Sequence, residues 1–546
     1  MEPVAADATE IILDENIPFS RSTIWEYQRD FYFQQNINAW ARKVPFYITS
    51  NPYIANSYAT VIIRFIQDCR KNNEMDPGKP FYVVELAAGS GTFSFYLIKR
   101  LFELRRSLAV NVRLVYVMTD LVEQNINYWR QHKAFQSFID TGELDFAHFD
   151  AEASTEISLL NSGITLQPEK SKSKKNPFVF IANYCFDSLR TDVFRILDNK
   201  LLEGLCKLTT ERSNLKEGKV DELNKVKVAF SFEEASLPYY QHDVLNKILL
   251  HYLSTAEGQY ISFPIGSLMC IKSLMEIAGN RLLLISSDKG YSKHLEHHQS
   301  EAPGIVFHDN CFSVSVNFDA FKQYFKLSGG DSFNQFTEQA LTTCAFTSGF
   351  KFSALQETSL ALHTSLNAFG HSTINSLFLN YNFTSNLSDI ESILPFLGAI
   401  GWDAGAFNSC RDIIVNQIRN GYARISDLED LKEKMSQIEE NFYMLPQAID
   451  TFFDIGLFYQ ETLQHALALA YYEKSIRHFG EKDVTLYNMG LCYHFMKKPN
   501  EAIEKFSQAL VHNPSYILAR GWISQIQDEL RSSRKKSKNA NGNSIV

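Results

Sequence analysis

The stretch from Phe81 to Leu97 constrains the fold of this 546-residue chain more than any other. It opens with the apolar run Phe81–Val84, which is typical of a parallel strand that is buried on both faces. Gly89 and Gly91 follow, and an apolar-periodic segment then begins at Phe93. This order predicts a strand, a tight turn and a helix. Because glycine carries no Cβ, such a turn lets a ligand approach the backbone, and the helix N-terminus behind it offers unpaired N–H groups.

The spacing within the turn separates two classes of nucleoside ligand. A dinucleotide fingerprint needs Gly-x-Gly-x-x-Gly, whereas residues 87–92 read Ala-Ala-Gly-Ser-Gly-Thr, which breaks that spacing. An acidic residue at the strand end followed by small-x-Gly-x-Gly resembles the cofactor loop of class I S-adenosylmethionine (AdoMet) methyltransferases. We therefore expect AdoMet as the cofactor. The residues of the loop expected to hold it are Glu85, Ala87, Gly89, Ser90, Gly91 and Thr92.

Polar residues also end three further predicted strands. Asp120 ends the run 112–120, Asp150 the run 144–150 and Asn183 the run 177–183. Ligands bind at the carboxyl ends of strands in open α/β sheets, so these side chains are expected to converge on the cofactor. Asp120 with Leu121 is expected at the ribose hydroxyls, and the methyltransferase fold would place Asp150 with Ala151 at the adenine amino group. Taken singly, each is also an ordinary turn or helix-cap residue.

Composition excludes several classes of protein. The net charge of −9 argues against a general nucleic-acid binder. The eight cysteines show neither a C-x-x-C pair nor zinc spacing, which favours reduced thiols in a cytoplasmic protein. The group His294, His297 and His298 lies among polar residues and indicates an exposed loop, so we expect no metal. No signal sequence and no membrane-spanning run is expected.

The length of the chain indicates several domains. Residues 1 to about 20 are expected to form a loose acidic lead at the start of the first of them. The predicted divisions are an N-terminal helical segment packed on the catalytic domain (1–75), the catalytic domain (76–346) with a helical insert at about 231–280, a helical connecting region (347–446), repeats (447–530) and a disordered basic tail (531–546).

An internal repeat occupies the region from 456 to 509. Gly456, Tyr459, Ala468, Tyr472 and Ser475 recur as Gly490, Tyr493, Ala502, Phe506 and Ala509, each time 34 residues later. This period, with small residues where paired helices touch, resembles tetratricopeptide repeats. Two repeats are few for independent stability, so the preceding helices are expected to complete the stack. Such arrays bind proteins, and we expect a protein substrate or partner here.

A more specific resemblance covers roughly residues 40 to 345. Six segments carry it: Thr49-Ser-Asn-Pro, Glu85-Leu-Ala-Ala-Gly-Ser-Gly-Thr, Ala182-Asn-Tyr-Cys-Phe-Asp-Ser-Leu189, Leu282-Leu-Leu-Ile-Ser-Ser-Asp-Lys-Gly, Ser315-Val-Asn-Phe318 and Phe336-Thr-Glu-Gln339. Their order resembles the MidA-like family, class I methyltransferases of bacteria and mitochondria linked to respiratory complex I assembly. The resemblance implies a Rossmann-like α/β fold with a mostly parallel seven-stranded sheet. An all-α domain of tetratricopeptide type would follow it.

The resemblance also implies methylation of a protein arginine. The family reads Ala-Asn-Glu-Phe-Phe-Asp-Ala-Leu-Pro where this chain has Tyr184 for the glutamate and Arg190 for the proline. A guanidinium stays protonated in water and needs carboxylates to orient it and take its proton, a task that Asp187 could perform. Asn183 and Tyr184 would suit an amide, a hydroxyl or a ring nitrogen instead. Asn183, Tyr184 and Asp187 are therefore the predicted catalytic residues.

Three functions are compatible with these patterns. The first is an AdoMet-dependent methyltransferase whose repeats recruit a protein. The second is a repeat-based scaffold with a catalytically degenerate methyltransferase-like domain, and the third is a small-molecule methyltransferase.

Overall fold

The computed structural model describes residues 10–40, 48–168, 175–293, 304–308, 310–334, 341–368, 370–371, 373–374, 376 and 389–542. The chain forms two compact units, residues 1–377 and residues 378–546. The predicted histidine group 294–298 and the segment 336–339 lie outside the described residues.

The first unit combines strands and helices. Its strands are β1 Glu10–Pro18, β2 Phe81–Leu86, β3 Leu114–Asp120, β4 Leu144–His148, β5 Ile157–Ser158, β6 Thr165–Leu166, β7 Phe178–Asn183, β8 Asp192–Leu197, β9 Lys200–Glu211, β10 Leu215–Lys216, β11 Lys219–Val220, β12 Lys227–Glu234, β13 Tyr260–Phe263, β14 Leu282–Asp288, β15 Gly290–Tyr291, β16 Ile305–His308, β17 Cys311–Val314, β18 Val316–Asn317, β19 Asp331–Asn334 and β20 Thr342–Ser348. Its helices are α1 Ile24–Gln35, α2 Pro52–Lys71, α3 Thr92–Ser107, α4 Glu123–Gln131, α5 Gln136–Asp140, α6 Asp243–Thr255, α7 Ile265–Ile277, α8 Phe318–Leu327 and α9 Gln356–Ala361.

A seven-stranded sheet in the order β19-β20-β14-β7-β2-β3-β4 forms the centre of this unit, as the family resemblance implies. The pairs β14–β7, β7–β2, β2–β3 and β3–β4 are parallel, and β20 runs antiparallel to both of its neighbours. The carboxyl ends of five neighbouring strands therefore share one edge of the sheet. That edge is where an open α/β sheet binds its ligands.

Apolar residues in the strands explain why this sheet lies in the core. Every residue of β2, β3 and β14 is buried, which fits parallel strands that are covered on both faces. Val84, Val117, Phe180 and Leu284 belong to one cluster of buried side chains. Burying such side chains contributes about 1.5–3 kcal/mol each, and this fixes the strands that carry the polar residues at the edge.

A second sheet, with five antiparallel strands, contains the pair of described strands that lie farthest apart in the sequence. Its order is β1-β9-β8-β13, with β12 also on β9. The prediction of a loose lead at the N-terminus and of a purely helical segment 1–75 is wrong here, because Glu10 to Pro18 form a strand on β9. The partner strand lies about 200 residues away, so no local pattern could reveal the pairing.

The prediction of a helical insert at about 231–280 is correct for part of that range. Helices α6 and α7 occur as expected, but β12 extends to Glu234 and β13 separates the two helices. Strand β13 pairs with β8 over Tyr260–Phe263. The insert therefore contributes strand β13 to the second sheet in addition to helices α6 and α7.

The second unit is helical throughout its described residues, 389–542. Its helices are α10 Ile390–Ala399, α11 Ala404–Arg419, α12 Ile425–Glu440, α13 Thr451–Glu461, α14 His465–Phe479, α15 Asp483–Phe495, α16 Pro499–His512 and α17 Ile517–Gly542. The disorder predicted for 531–546 is wrong as far as Gly542, because α17 continues to that residue. Among the described helices of both units, none has the length and apolarity needed to cross a bilayer.

Candidate functional site

The turn after β2 is built from backbone in the left-handed region. Ala87, Gly89 and Gly91 have φ values of 49°, 56° and 76°. Such angles suit glycine, while an alanine there costs roughly 1–2 kcal/mol. Gly91 is the cap residue of α3, whose Thr92–Ser107 segment follows directly. The backbone therefore turns sharply beside the end of β2, as the two glycines predict.

Asp120, at the end of β3, holds this turn. One carboxylate oxygen accepts a hydrogen bond from the Gly89 N–H at 3.0 Å, and the other accepts from the Val122 N–H at 2.8 Å and from Asn125 Nδ2 at 3.3 Å. Burial raises the pKa of Asp120 to about 6, although these hydrogen bonds act to lower it. The carboxylate thus joins the turn to the neighbouring strand and lines the cavity there.

Glu85 is the second carboxyl group at this edge. Tyr116 donates a hydrogen bond to it at 2.6 Å, and the Ser94 hydroxyl donates to the same oxygen. Burial raises the pKa of Glu85 to about 7, against the lowering effect of those two hydroxyls. A carboxyl group that is poised near neutrality becomes ionised when a cation binds beside it.

Asp150 carries an ion pair that sequence reasoning missed. Arg29 on α1 approaches Asp150 with N–O distances of 2.6 and 3.4 Å, and it lies 3.8 Å from Glu152. Burial acts to raise the pKa of Asp150, but the bonds from Arg29 and from the Glu152 N–H outweigh it and lower the pKa. The Asp150 carboxylate, which is expected to meet the adenine amino group, is therefore already hydrogen-bonded to Arg29.

Asn183, at the end of β7, is oriented by a helix. The hydroxyl of Tyr58 on α2 donates to Asn183 Oδ1 at 2.8 Å, and Asn183 Nδ2 is buried without a hydrogen-bond partner in the part of the chain that the structure describes. The next residue, Tyr184, has a φ of 49°, so the chain turns sharply here too. Its phenol is largely buried, and burial raises its pKa.

Asp187 does not reach the cavity. It is buried behind Ser188, whose hydroxyl donates to it at 3.0 Å. Asp288, at the end of β14, accepts from the N–H groups of Cys185, Phe186 and Asp187 at 3.1, 2.9 and 3.2 Å. Burial and the adjacent Asp187 raise the pKa of Asp288 well above its usual range. These contacts fix the loop after β7, which is a structural role for this pair.

One cavity brings most of the predicted residues together. Its walls include Glu85, Ala87, Gly89, Ser90, Asp120, Leu121, Asp150, Ala151, Asn183 and Tyr184. Gly91, Thr92 and Asp187 are not in its walls as the structure describes them, and Thr92 accepts a hydrogen bond from Ser90 instead. The strand-end residues therefore converge as the sequence predicts, while three neighbours serve the turn or the loop.

Helix α1 adds walls that no strand-end rule indicates. Trp25, Gln28, Arg29 and Tyr32 all line the cavity, and so do Thr49 and Ser50 before α2. The aromatic stripe of α1 is visible in the sequence, but it is equally typical of a core-facing helix. The cavity residues on α1 lie on successive turns, which the helical period explains.

Three comparisons with known proteins were made. The family model for the tetratricopeptide repeat matches residues 484–516, so the second predicted repeat is confirmed. No curated protein matches the chain. A COG1565 superfamily structure from Burkholderia thailandensis with bound S-adenosyl-homocysteine is 12% identical over 61% of this chain and 88% of its own, with a TM-score of 0.39. A native structure of a COG1565 superfamily protein from the same organism is 12% identical, with coverages of 61% and 87% and a TM-score of 0.35. Likeness at this level leaves the site to be argued from the chain's own residues.

Proposed function

We propose that the first unit is an AdoMet-dependent methyltransferase with a Rossmann-like class I fold. The sheet order, with one antiparallel strand between β14 and β19, supports that fold assignment. The observation that carries the proposed function is the charge of the cavity. Glu85, Asp120, Asp150 and Glu152 line it, whereas Arg29 is the one cation among its described wall residues.

An acidic cavity of this kind discriminates between nucleoside ligands. A dinucleotide brings a pyrophosphate, which the carboxylates would repel. AdoMet brings a sulfonium and an ammonium group, and the buried Glu85 carboxyl lies at the turn to meet positive charge. Asp120 would accept hydrogen bonds from the ribose hydroxyls, and Asp150 would meet the adenine edge beside Arg29.

The residues of the chain would act mainly by positioning the methyl acceptor relative to AdoMet. AdoMet would supply a methyl group whose carbon–sulfur bond breaks as the lone pair of the acceptor forms the new bond. Asn183 and Tyr184 would hold the acceptor in line, and positioning of this kind can contribute up to about 7–11 kcal/mol to lowering the barrier. The aromatic side chains of α1 would exclude water from the cavity.

The repeats of the second unit would recruit the protein that carries the acceptor. Tetratricopeptide arrays present concave surfaces to other proteins, and the match at 484–516 supports this role. Arginine as the acceptor is implied by the family resemblance alone, and a cytoplasmic location is part of the same proposal.

The first experiment measures AdoMet binding to the full chain by calorimetry, with Asp120→Ala as the test variant. Hydrogen bonds to a charged group contribute about 1.5–3 kcal/mol, so we expect the variant to bind roughly 10- to 100-fold more weakly. NAD is expected to give no heat.

A matched control comes from the same sheet. Asp145 is buried on β4 and accepts hydrogen bonds from the N–H groups of Phe146, Asn161 and Ser162, but it lies outside the described cavity walls. We expect Asp145→Asn to keep the AdoMet affinity of the parent. An absence of AdoMet binding to the parent chain would refute the proposed function.

A second candidate has a specific observation in its favour. Asp120 and Asp150 are both satisfied by protein groups, as expected of a cavity that needs no ligand. The unit would then be a catalytically degenerate part of a repeat scaffold. The same calorimetry decides between the two functions.

A further inference from the structure

We infer that the acceptor of the proposed methyl transfer is a neutral group that accepts a hydrogen bond from the Asn183 side-chain N–H, and not a protonated guanidinium. This inference rests on the proposed function and names its substrate class. Side-chain carboxamides and hydroxyls are the neutral groups that fit, because one site can accept from Asn183 while another receives the methyl group. A neutral imidazole would use its only free lone pair in the contact with Asn183, so it serves here only as a binding probe. The observation behind it is a chain of hydrogen bonds that runs from the cavity into the core.

Four side chains form this hydrogen-bond chain. Asn183 Oδ1 accepts from the Tyr58 hydroxyl at 2.8 Å, and the neighbouring Ser287 hydroxyl acts to lower the pKa of Tyr58, as a group that donates to the phenol oxygen does. Ser287 Oγ lies 3.0 Å from His371 Nδ1. A fifth group, the Thr343 hydroxyl, contacts both Ser287 and the same nitrogen of His371, the latter at 3.0 Å.

His371, at the end of the hydrogen-bond chain that lies in the core, determines the direction in which the hydroxyl groups donate. His371 is fully buried and its Nε2 has no hydrogen-bond partner among the described residues. Burial lowers the pKa of His371 to about 3, so the ring is neutral and carries one proton. An orphaned buried N–H costs more than an orphaned lone pair, so the proton belongs on Nδ1.

Each hydroxyl then donates toward the cavity. With Nδ1–H donating to a hydroxyl of Ser287 or Thr343, Ser287 donates to Tyr58 and Tyr58 donates to Asn183 Oδ1. A hydroxyl has only one proton, so this order fixes the amide of Asn183 with its oxygen toward Tyr58. The Asn183 Nδ2 group then remains to donate a hydrogen bond to a ligand beside it.

The carboxylates of the described cavity walls already have hydrogen-bond partners in the protein, and the proposed function assigns their charge to AdoMet. The carboxylates in the described walls all accept hydrogen bonds from protein groups: Glu85 from Tyr116, Asp120 from Gly89, Asp150 from Arg29 and Glu152 from the Arg190 N–H at 2.7 Å. A guanidinium carries only donors, which would face the Asn183 N–H. A neutral acceptor atom would instead satisfy that buried N–H.

The experiment uses saturation-transfer NMR on the full chain with three probes: acetamide, imidazole and methylguanidinium. We expect acetamide and imidazole to bind at least tenfold more tightly than methylguanidinium. Asn183→Asp replaces the N–H group with an oxygen and is expected to reverse this preference. Tyr58→Phe lets the amide rotate and is expected to reduce the preference to less than threefold.

A control on the same helix separates these effects from general damage to α2. Tyr53 also has a buried hydroxyl that lacks a hydrogen-bond partner among the described residues, and Tyr53 is not in the described cavity walls. We expect Tyr53→Phe to keep the preference of the parent. Equal or tighter binding of methylguanidinium to the parent would overturn the inference, and so would the absence of neutral-probe binding that depends on Asn183.

The probes are measured with and without saturating S-adenosyl-homocysteine. Failure of S-adenosyl-homocysteine to bind would refute the proposed function. The measurement without S-adenosyl-homocysteine would still test whether Asn183 donates a hydrogen bond to the probes. The two failures are therefore distinguishable.

Discussion

At the scale of single residues, the structure buries a carboxyl group at a cost to stability. Glu85 has hydroxyl partners, and burial raises its pKa from 4.5 to about 7. A carboxyl group whose pKa is raised on folding stabilises the fold below its unfolded pKa, and this contribution is lost as the pH rises through the folded pKa. For Glu85 the loss falls between about pH 4.5 and pH 7.

Replacement of Glu85 by glutamine tests this residue. Glu85→Gln keeps the shape and an acceptor oxygen but has no charge to bury. We expect the free energy of unfolding of the variant, relative to the parent, to improve by about 2–3 kcal/mol more at pH 8 than at pH 5. Urea unfolding at the two pH values measures it.

The same variant should bind AdoMet more weakly, because the ionised carboxyl is the group proposed to meet its positive charge. A relative stability that is the same at both pH values would contradict the raised pKa. Unchanged affinity for AdoMet at pH 8 would remove Glu85 from the proposed site.

At the scale of elements, the repeats depend on two glycines. A Cβ at Gly456 would lie 2.8 Å from the ring of Tyr472, and a Cβ at Gly490 would lie 2.6 Å from the ring of Phe506. Both rings are fully buried. The 34-residue offset therefore reflects the same close contact in each helix pair, α13 with α14 and α15 with α16.

Two alanine substitutions with opposite expected effects on the free energy of unfolding test this packing. We expect Gly490→Ala to lower the free energy of unfolding by about 1–3 kcal/mol, because the added methyl group must displace the ring of Phe506. Gly521 lies on α17 with nothing within 4 Å of its Cβ position. Gly521→Ala should raise the free energy of unfolding by about 0.5–1 kcal/mol.

Chemical unfolding of the full chain, followed by circular dichroism, measures both variants. The contrast controls for the general effect of alanine in a helix. A stabilising effect of Gly490→Ala would show that the helices of the second repeat do not pack at this distance.

At the scale of the whole molecule, each unit has its own core. Buried strand and helix residues such as Val84 and Phe321 form one cluster in the first unit, and Leu486, Phe506 and Ile526 belong to another in the second. Separate cores predict separate unfolding transitions. A ligand of the first unit should then leave the second unaffected.

Scanning calorimetry of the full chain tests this independence. S-adenosyl-homocysteine at 100 times its Kd should stabilise the first unit by about 2.7 kcal/mol and raise only its transition temperature. Gly490→Ala should lower only the other transition. A single transition that responds to both changes would contradict the prediction.

Local patterns in the sequence predict much of the first unit. Apolar runs that end in Asp120 and Asn183 predict strands of the central sheet, and the glycines at 89 and 91 predict the turn. These features depend on neighbours in the chain, since strand burial and positive φ angles are encoded within a few residues. The 34-residue period of the repeats is local in the same sense.

Partners that are distant in the chain escape such patterns. Arg29 reaches Asp150 across 121 residues, and Tyr58 reaches Asn183 across 125. Asp187 looks like a catalytic carboxylate in the sequence, yet its loop buries it beside Asp288. Whether a polar side chain faces a cavity or the core is set by packing, to which its own sequence neighbours give no guide.

The sequence by itself determined the strands that end at Asp120 and Asn183, the glycine turn after β2 and the 34-residue period of the repeats, because each of these follows from short-range periodicity and turn chemistry. Only the tertiary structure decided that strand β1 completes a second sheet, that helix α1 lines the cavity and that Tyr58 orients Asn183. The physical reason is that ion pairs, sheet partners and buried hydrogen-bond chains form between segments that meet only when the chain has folded.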